Sequence, residues 1–175
     1  FTMSDLPESD RIEGVPHPRA TARLFGHDAA QTAVLDAFSS GRQHHAWMLQ
    51  GPRGTGKATF GYHLARFLIA TSPAGAADIF GDNPAPSTLY IDPEHPVARR
   101  VAVGSESGLF VLRRALDEKD RSKLKTVITV DEARKLKEFL TMSAPDGTPR
   151  VVIIDAADEM NVQTANAILK LLEEP

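Results

Sequence analysis

Apolar positions recur at helical spacing in several stretches of the chain and form short unbroken runs in others. Ala30, Ala33, Val34, Ala37 and Phe38 share one helical face, and Gly41 follows as a stop signal. Residues 45–50, with Ala46, Trp47, Met48 and Leu49, form a short apolar run ending at Gly51. That reads as a buried strand, with Trp47 in the core. Phe60, Leu64, Phe67 and Leu68 return to helical spacing, which predicts a helix from Gly56 to Ile69. Residues 71–108 are rich in Pro, Gly, Ala and Asp. They read as loop with one short strand over 88–91, followed by a second strand over 108–113.

Residues 115–125 are dense in both charges and predict an exposed excursion. Thr129 and Glu132 then stand at capping-box spacing, with Ile128 and Ala133 placed for a hydrophobic staple. The helix they open continues through Leu136 and Leu140, and 143–147 reads as a turn. Val151 to Ile154 is an unbroken β-branched run, expected to be a buried strand. Asn161 is placed to cap a last helix carrying Ala165, Ile168, Leu169 and Leu172 on one face. Strands alternating with helices predict an α/β fold, a parallel sheet flanked by helices.

Composition changes this picture little. The chain has 175 residues, 42% of them hydrophobic and 25% charged, enough for a real core. The net charge of −3 argues against a surface built wholly for nucleic acid. Basic residues outnumber acidic ones from Arg99 to Lys137, which reads first as a solvated, salt-bridged surface. The absence of cysteine excludes disulfides, thiolate zinc sites and cysteine nucleophiles. No apolar run reaches membrane-spanning length, and no leader pattern opens the chain, so a cytoplasmic protein is expected. Residues 1–22 read as an arm that docks or stays loose, with Phe1-Thr2 ahead of Met3 as a cloning scar.

The candidate chemistry lies at Gly51-Pro52-Arg53-Gly54-Thr55-Gly56-Lys57, between a predicted strand and a predicted helix. A phosphate needs several converging N–H donors with nothing bulky in the way. A glycine-rich turn at a helix N-terminus supplies them, and the lysine reaches the terminal phosphates. The motif departs at its last position. A Ser or Thr hydroxyl there would bind Mg²⁺, but the residue is Ala58, and Thr59 is about 100° further round the helix. Asp155 ends the apolar strand as a Walker B carboxylate would, but Ala156 follows it instead of a water-activating glutamate. Glu159 is a rival candidate for that base. The spacing therefore predicts a site that holds ATP or ADP phosphates, binds Mg²⁺ weakly or not at all, and hardly hydrolyses.

Three stretches carry a resemblance: 44–59, 150–161, and above all 165–175 with its Leu-Leu-Glu-Glu-Pro ending. Together they resemble the delta prime family of bacterial DNA polymerase III clamp-loader subunits, within the AAA+ class of P-loop NTPases. The match is good over about 20–70 and 127–175. It implies a five-subunit loader, with gamma/tau and delta as partners, that places a sliding clamp on primed DNA. It also implies a stator-like subunit with little ATPase activity of its own, and no membrane association. Residues 23–175 then form a partial AAA+ nucleotide-binding domain. Residues 71–126 are a variable insertion that lacks the cysteines of the family's zinc module, so no zinc is expected. Phe25-Gly26-His27 lies where relatives pack the adenine, or forms a plain docking turn.

The resemblance places a sensor strand, an arginine finger, a lid and an oligomerisation domain after Pro175. The chain thus reads as an N-terminal portion truncated before the sensor strand. A gap is expected between the phosphate-loop strand and the Walker B strand. It would be met by rearranged pairing, a partner's strand or further sequence. Two other functions stay open: an active AAA+ ATPase such as gamma/tau or a helicase motor, and a small-molecule P-loop kinase.

Overall fold

A computed structural model describes residues 6–42, 44–72, 86–142 and 147–173. The expected turn over 143–147 and the scar at Phe1-Thr2 lie largely or wholly outside them, as does most of 71–85. The chain divides into two compact units, one built mainly from 18–109 and one from 1–17, 110–143 and 152–175. The units together give the expected α/β fold. No helix among the described residues is long and apolar enough to cross a membrane.

The first unit holds α1 (Asp28–Ser39), α2 (Lys57–Ala70) and α3 (Pro96–Val103). Gly41, at φ 65°, ends the first of these as its position in the sequence predicts. Val34 and Leu35 of α1 pack on Phe60, Leu64 and Phe67 of α2, with Leu89 closing the cluster. Phe38 meets Phe67 edge-on at 4.9 Å. The helix α3 was not expected within the Pro- and Gly-rich stretch. Its signals were local: Pro96 at its first turn, Gly104 in the left-handed region just past its end, and His95 Nδ1 accepting the Val97 N–H at 3.2 Å. Residues 88–91 bury Leu89 but form no ladder among the described residues.

The run 45–50 corrects a second expectation. It is not a ladder strand, Trp47 is 39% exposed and Met48 78%. An apolar strand is buried on both faces only when neighbours flank it, and no strand pairs with this run among the described residues.

The second unit holds β1 (Leu109–Leu112), α4 (Val130–Thr141), β2 (Val151–Ile154) and α5 (Val162–Glu173), with 3-10 turns nearby. Its two strands run parallel, with Asp155 N–H donating to the Leu112 carbonyl at 2.9 Å. With one neighbour each, the residues of β2 are only half-buried, less than the sequence suggests. Leu112, Ile128, Ala133, Leu136 and Ile168 form the core. The capping box is present, with Thr129 N–H donating to the Glu132 carboxylate at 2.9 Å. Asn161 caps α5 by accepting the Thr164 N–H at 2.8 Å. The excursion closes through a Leu116–Leu124 bridge, and its tip is exposed. Two of its four basic residues are ion-paired, Lys123 with Asp120 and Lys125 with Glu118, as on a salt-bridged surface.

The polar start of the chain is docked. In the first unit the Thr21 carbonyl accepts Arg66 Nη2 at 2.9 Å and His63 Nε2 at 3.2 Å. Burial, with Arg66⁺ adding to it, lowers the His63 pKa from 6.5 to about 4, against the small opposing effect of the Thr21 bond. Folded His63 thus stays neutral where the unfolded imidazole takes a proton. Stability should be full above pH 6.5 and fall as pH drops toward 4, by up to about 3 kcal/mol. Urea midpoints of the full-length protein at pH 7 and 4.5 test this. His63→Gln should flatten the slope, and an equal slope in both proteins would assign the effect elsewhere.

Candidate functional site

The loop 51–56 leads into α2, whose N-cap is Gly56. Gly54 and Gly56 adopt φ of 85° and 86°, where a side chain would be strained, so glycine is required to turn the chain into the helix. The first amides of α2 have no carbonyl one turn earlier in the helix to bond, and they join the positive end of the helix dipole. Lys57 opens the helix, and its Nζ donates to the carbonyls of Gly51 at 2.8 Å and Pro52 at 2.7 Å. Thr55 Oγ1 donates to the same Pro52 carbonyl at 2.9 Å. Pro52, Arg53 and Thr55 are exposed, and Ala58 and Thr59 half-buried. The loop is thus a compact turn with a cation drawn across it. The residue after that cation, Ala58, offers only a methyl group.

Beside the loop lies a pocket of about 250 Å³, lined by His27, Ala30, Leu49, Thr55, Lys57 and Phe60 among others. It is slightly smaller than the roughly 300–1,000 Å³ of ordinary ligand clefts. It combines an apolar wall with the ammonium group of Lys57. Of the three residues expected on the adenine side, only His27 reaches it. Phe25 is 78% exposed, and Gly26 turns the backbone at φ 73°. Sequence reasoning missed Ala30, Leu49 and Phe60 as lining. Phe60 stands three residues after Lys57 and Ala30 three after His27, so helical spacing carried the signal.

His44 and His45 are exposed, and His44 stacks edge-on against Trp47 at 5.4 Å, which makes them a surface pair. In the second unit Asp155 follows β2 and is half-buried, as is Ala156. Glu159, the rival base, is bound by Arg114 Nε at 2.8 Å, an ion pair that competes with any role in activating water.

The family described as DNA polymerase III, delta subunit, matches residues 26–175. DNA polymerase III subunit delta' of Pseudomonas aeruginosa is 36% identical over 146 residues, covering 83% of this chain and 38% of that protein. DNA polymerase III subunit tau of Salmonella typhimurium is 28% identical over 163 residues, covering 90% and 21% respectively. Subunit gamma of Buchnera aphidicola is 28% identical over 158 residues, covering 90% and 37%. The chain therefore spans well under half the length of these relatives.

Proposed function

The chain belongs to the DNA polymerase III delta-subunit family, and we propose that it serves a clamp loader as a non-hydrolysing, stator-like subunit. Its phosphate loop holds ATP or ADP without driving turnover. Gamma/tau and delta are its partners, and it reaches the sliding clamp and primed DNA through that complex. The observation that carries this reading is the start of α2. There a lysine set for phosphate, its Nζ held on two loop carbonyls, is followed by Ala58 where a metal-binding hydroxyl would stand. Residues 51–59 form the phosphate site and His27 borders the base. Asp155-Ala156 is the degenerate Walker B pair.

The 28% identity to tau favours a second reading, an active ATPase of the same class. Calorimetric titration of full-length protein with ADP separates the two. Affinity should be equal in Mg²⁺ and in EDTA, and Ala58→Thr should make it rise with Mg²⁺. A strong Mg²⁺ dependence in the unsubstituted protein would favour the active reading.

A further inference from the structure

We infer that His27 is a positioning residue for the phosphate loop, a clamp that sets the Thr55–Gly56 peptide for anion binding. This inference rests on the nucleotide-site reading but makes a claim of its own. His27 Nε2 lies 2.7 Å from the Thr55 carbonyl oxygen. A carbonyl has no proton to give, so Nε2 carries it and His27 is the donor. In a trans peptide the carbonyl and the following N–H point in opposite directions. Tying the Thr55 carbonyl to the ring thus leaves the Gly56 N–H directed away from it, available to an anion held by the loop.

The clamp has a rigid footing. His27 is the N-cap of α1, at φ 62°, and its own carbonyl accepts the Gln31 N–H at 2.9 Å. The helix α1 packs on α2 through Val34, Leu35, Phe60 and Leu64. The ring also meets Phe60 edge-on, with centroids 5.9 Å apart. It therefore spans from the N-cap of one helix to the turn that leads into its neighbour. A Cβ at Gly56 would come within 3.4 Å of Nε2, so the ring lies close over the glycine Cα. Glycine there admits the backbone turn at φ 86°, and the ring sits over it at ordinary contact distance.

Two substitutions separate a clamp from a backbone role. Asparagine accepts the left-handed conformation well but is too short to reach Thr55. Glutamine fits that conformation less well but can extend an amide donor to the carbonyl. If His27 mattered only as the left-handed entry to α1, His27→Asn would be harmless and His27→Gln harmful. The clamp requires the reverse. In ligand-free full-length protein, hydrogen exchange of amides 51–57 should quicken about tenfold in H27N, the equivalent of one lost hydrogen bond, and stay near wild type in H27Q. ADP affinity should follow the same order, about tenfold weaker in H27N.

Unchanged exchange in H27N, or equal loss in both variants, overturns the clamp whether or not ADP binds. If unsubstituted protein binds no ADP but the exchange order holds, the clamp stands and the nucleotide reading falls.

Discussion

Full-length protein is expected to hydrolyse ATP at least 10²-fold more slowly than the roughly 1 s⁻¹ at the low end of ordinary enzymes. Two absences set this size. Ala58 removes a direct metal ligand, and the bound Mg²⁺ would otherwise neutralise charge on the β- and γ-phosphates. Ala156 removes the carboxylate that would orient and deprotonate the attacking water, worth about 10²–10⁴-fold in general-base catalysis. Glu159 does not fill that place readily, because Arg114 holds its carboxylate at 2.8 Å. On the proposed reading, phosphate binding and hydrolysis are separable, with the loop amides and Lys57 serving the first and the missing groups the second. Steady-state phosphate release by the purified full-length protein measures this. A rate near 1 s⁻¹ would sink the stator reading and leave the active alternative.

The phosphate loop was legible because its constraints are local. Glycines at 51, 54 and 56, a lysine and an apolar period of 3.6 specify a turn and a helix with no help from distant residues, and α2 begins one residue after Gly56. The caps at Thr129 and Asn161 were legible for the same reason. Burial was not, because it depends on neighbours. Trp47 and the residues of β2 have the composition of a strand buried on both faces. Their exposure follows from how many strands flank them, which a local apolar run does not encode. The helix α3 was hidden by composition. Its Pro96 and Gly104, read as loop residues, are its start and stop signals. His27, expected on the adenine side or in a plain docking turn, lines the pocket beside the loop, but its bond to Thr55, 28 positions away, needs the packing of α1 on α2.

Replacing Arg113 should cost the second unit about 3–5 kcal/mol, the usual cost of removing one partner from a buried ion pair. Arg113, just after β1, donates to Glu8 and to Asp10 at 2.5 Å each, and His17 Nε2 lies 3.1 and 3.3 Å from the same two carboxylates. The Asp10 side chain is fully buried and Glu8 is half-buried. Burial alone would raise the Asp10 pKa, but His17 and Arg113 more than offset it and hold the carboxyl well below its ordinary 3.8. A depressed carboxyl contributes stability that is present above its unfolded pKa and is lost as pH falls below it.

Arg113→Met keeps much of the side chain's bulk and removes the charge, leaving two carboxylates in a poorly solvated place. The cost should therefore be largest near pH 7 and shrink as pH approaches 3, where protonation removes the charge that Arg113 opposed. Asp10→Asn combined with Arg113→Met should recover part of the loss, because one buried negative charge fewer then remains. Denaturant midpoints for the single and double variants at pH 7 and 3.5 measure both effects. A cost under about 1 kcal/mol at pH 7, typical of exposed ion pairs, would mean that water screens the cluster and that residues 8–17 dock by apolar contact instead.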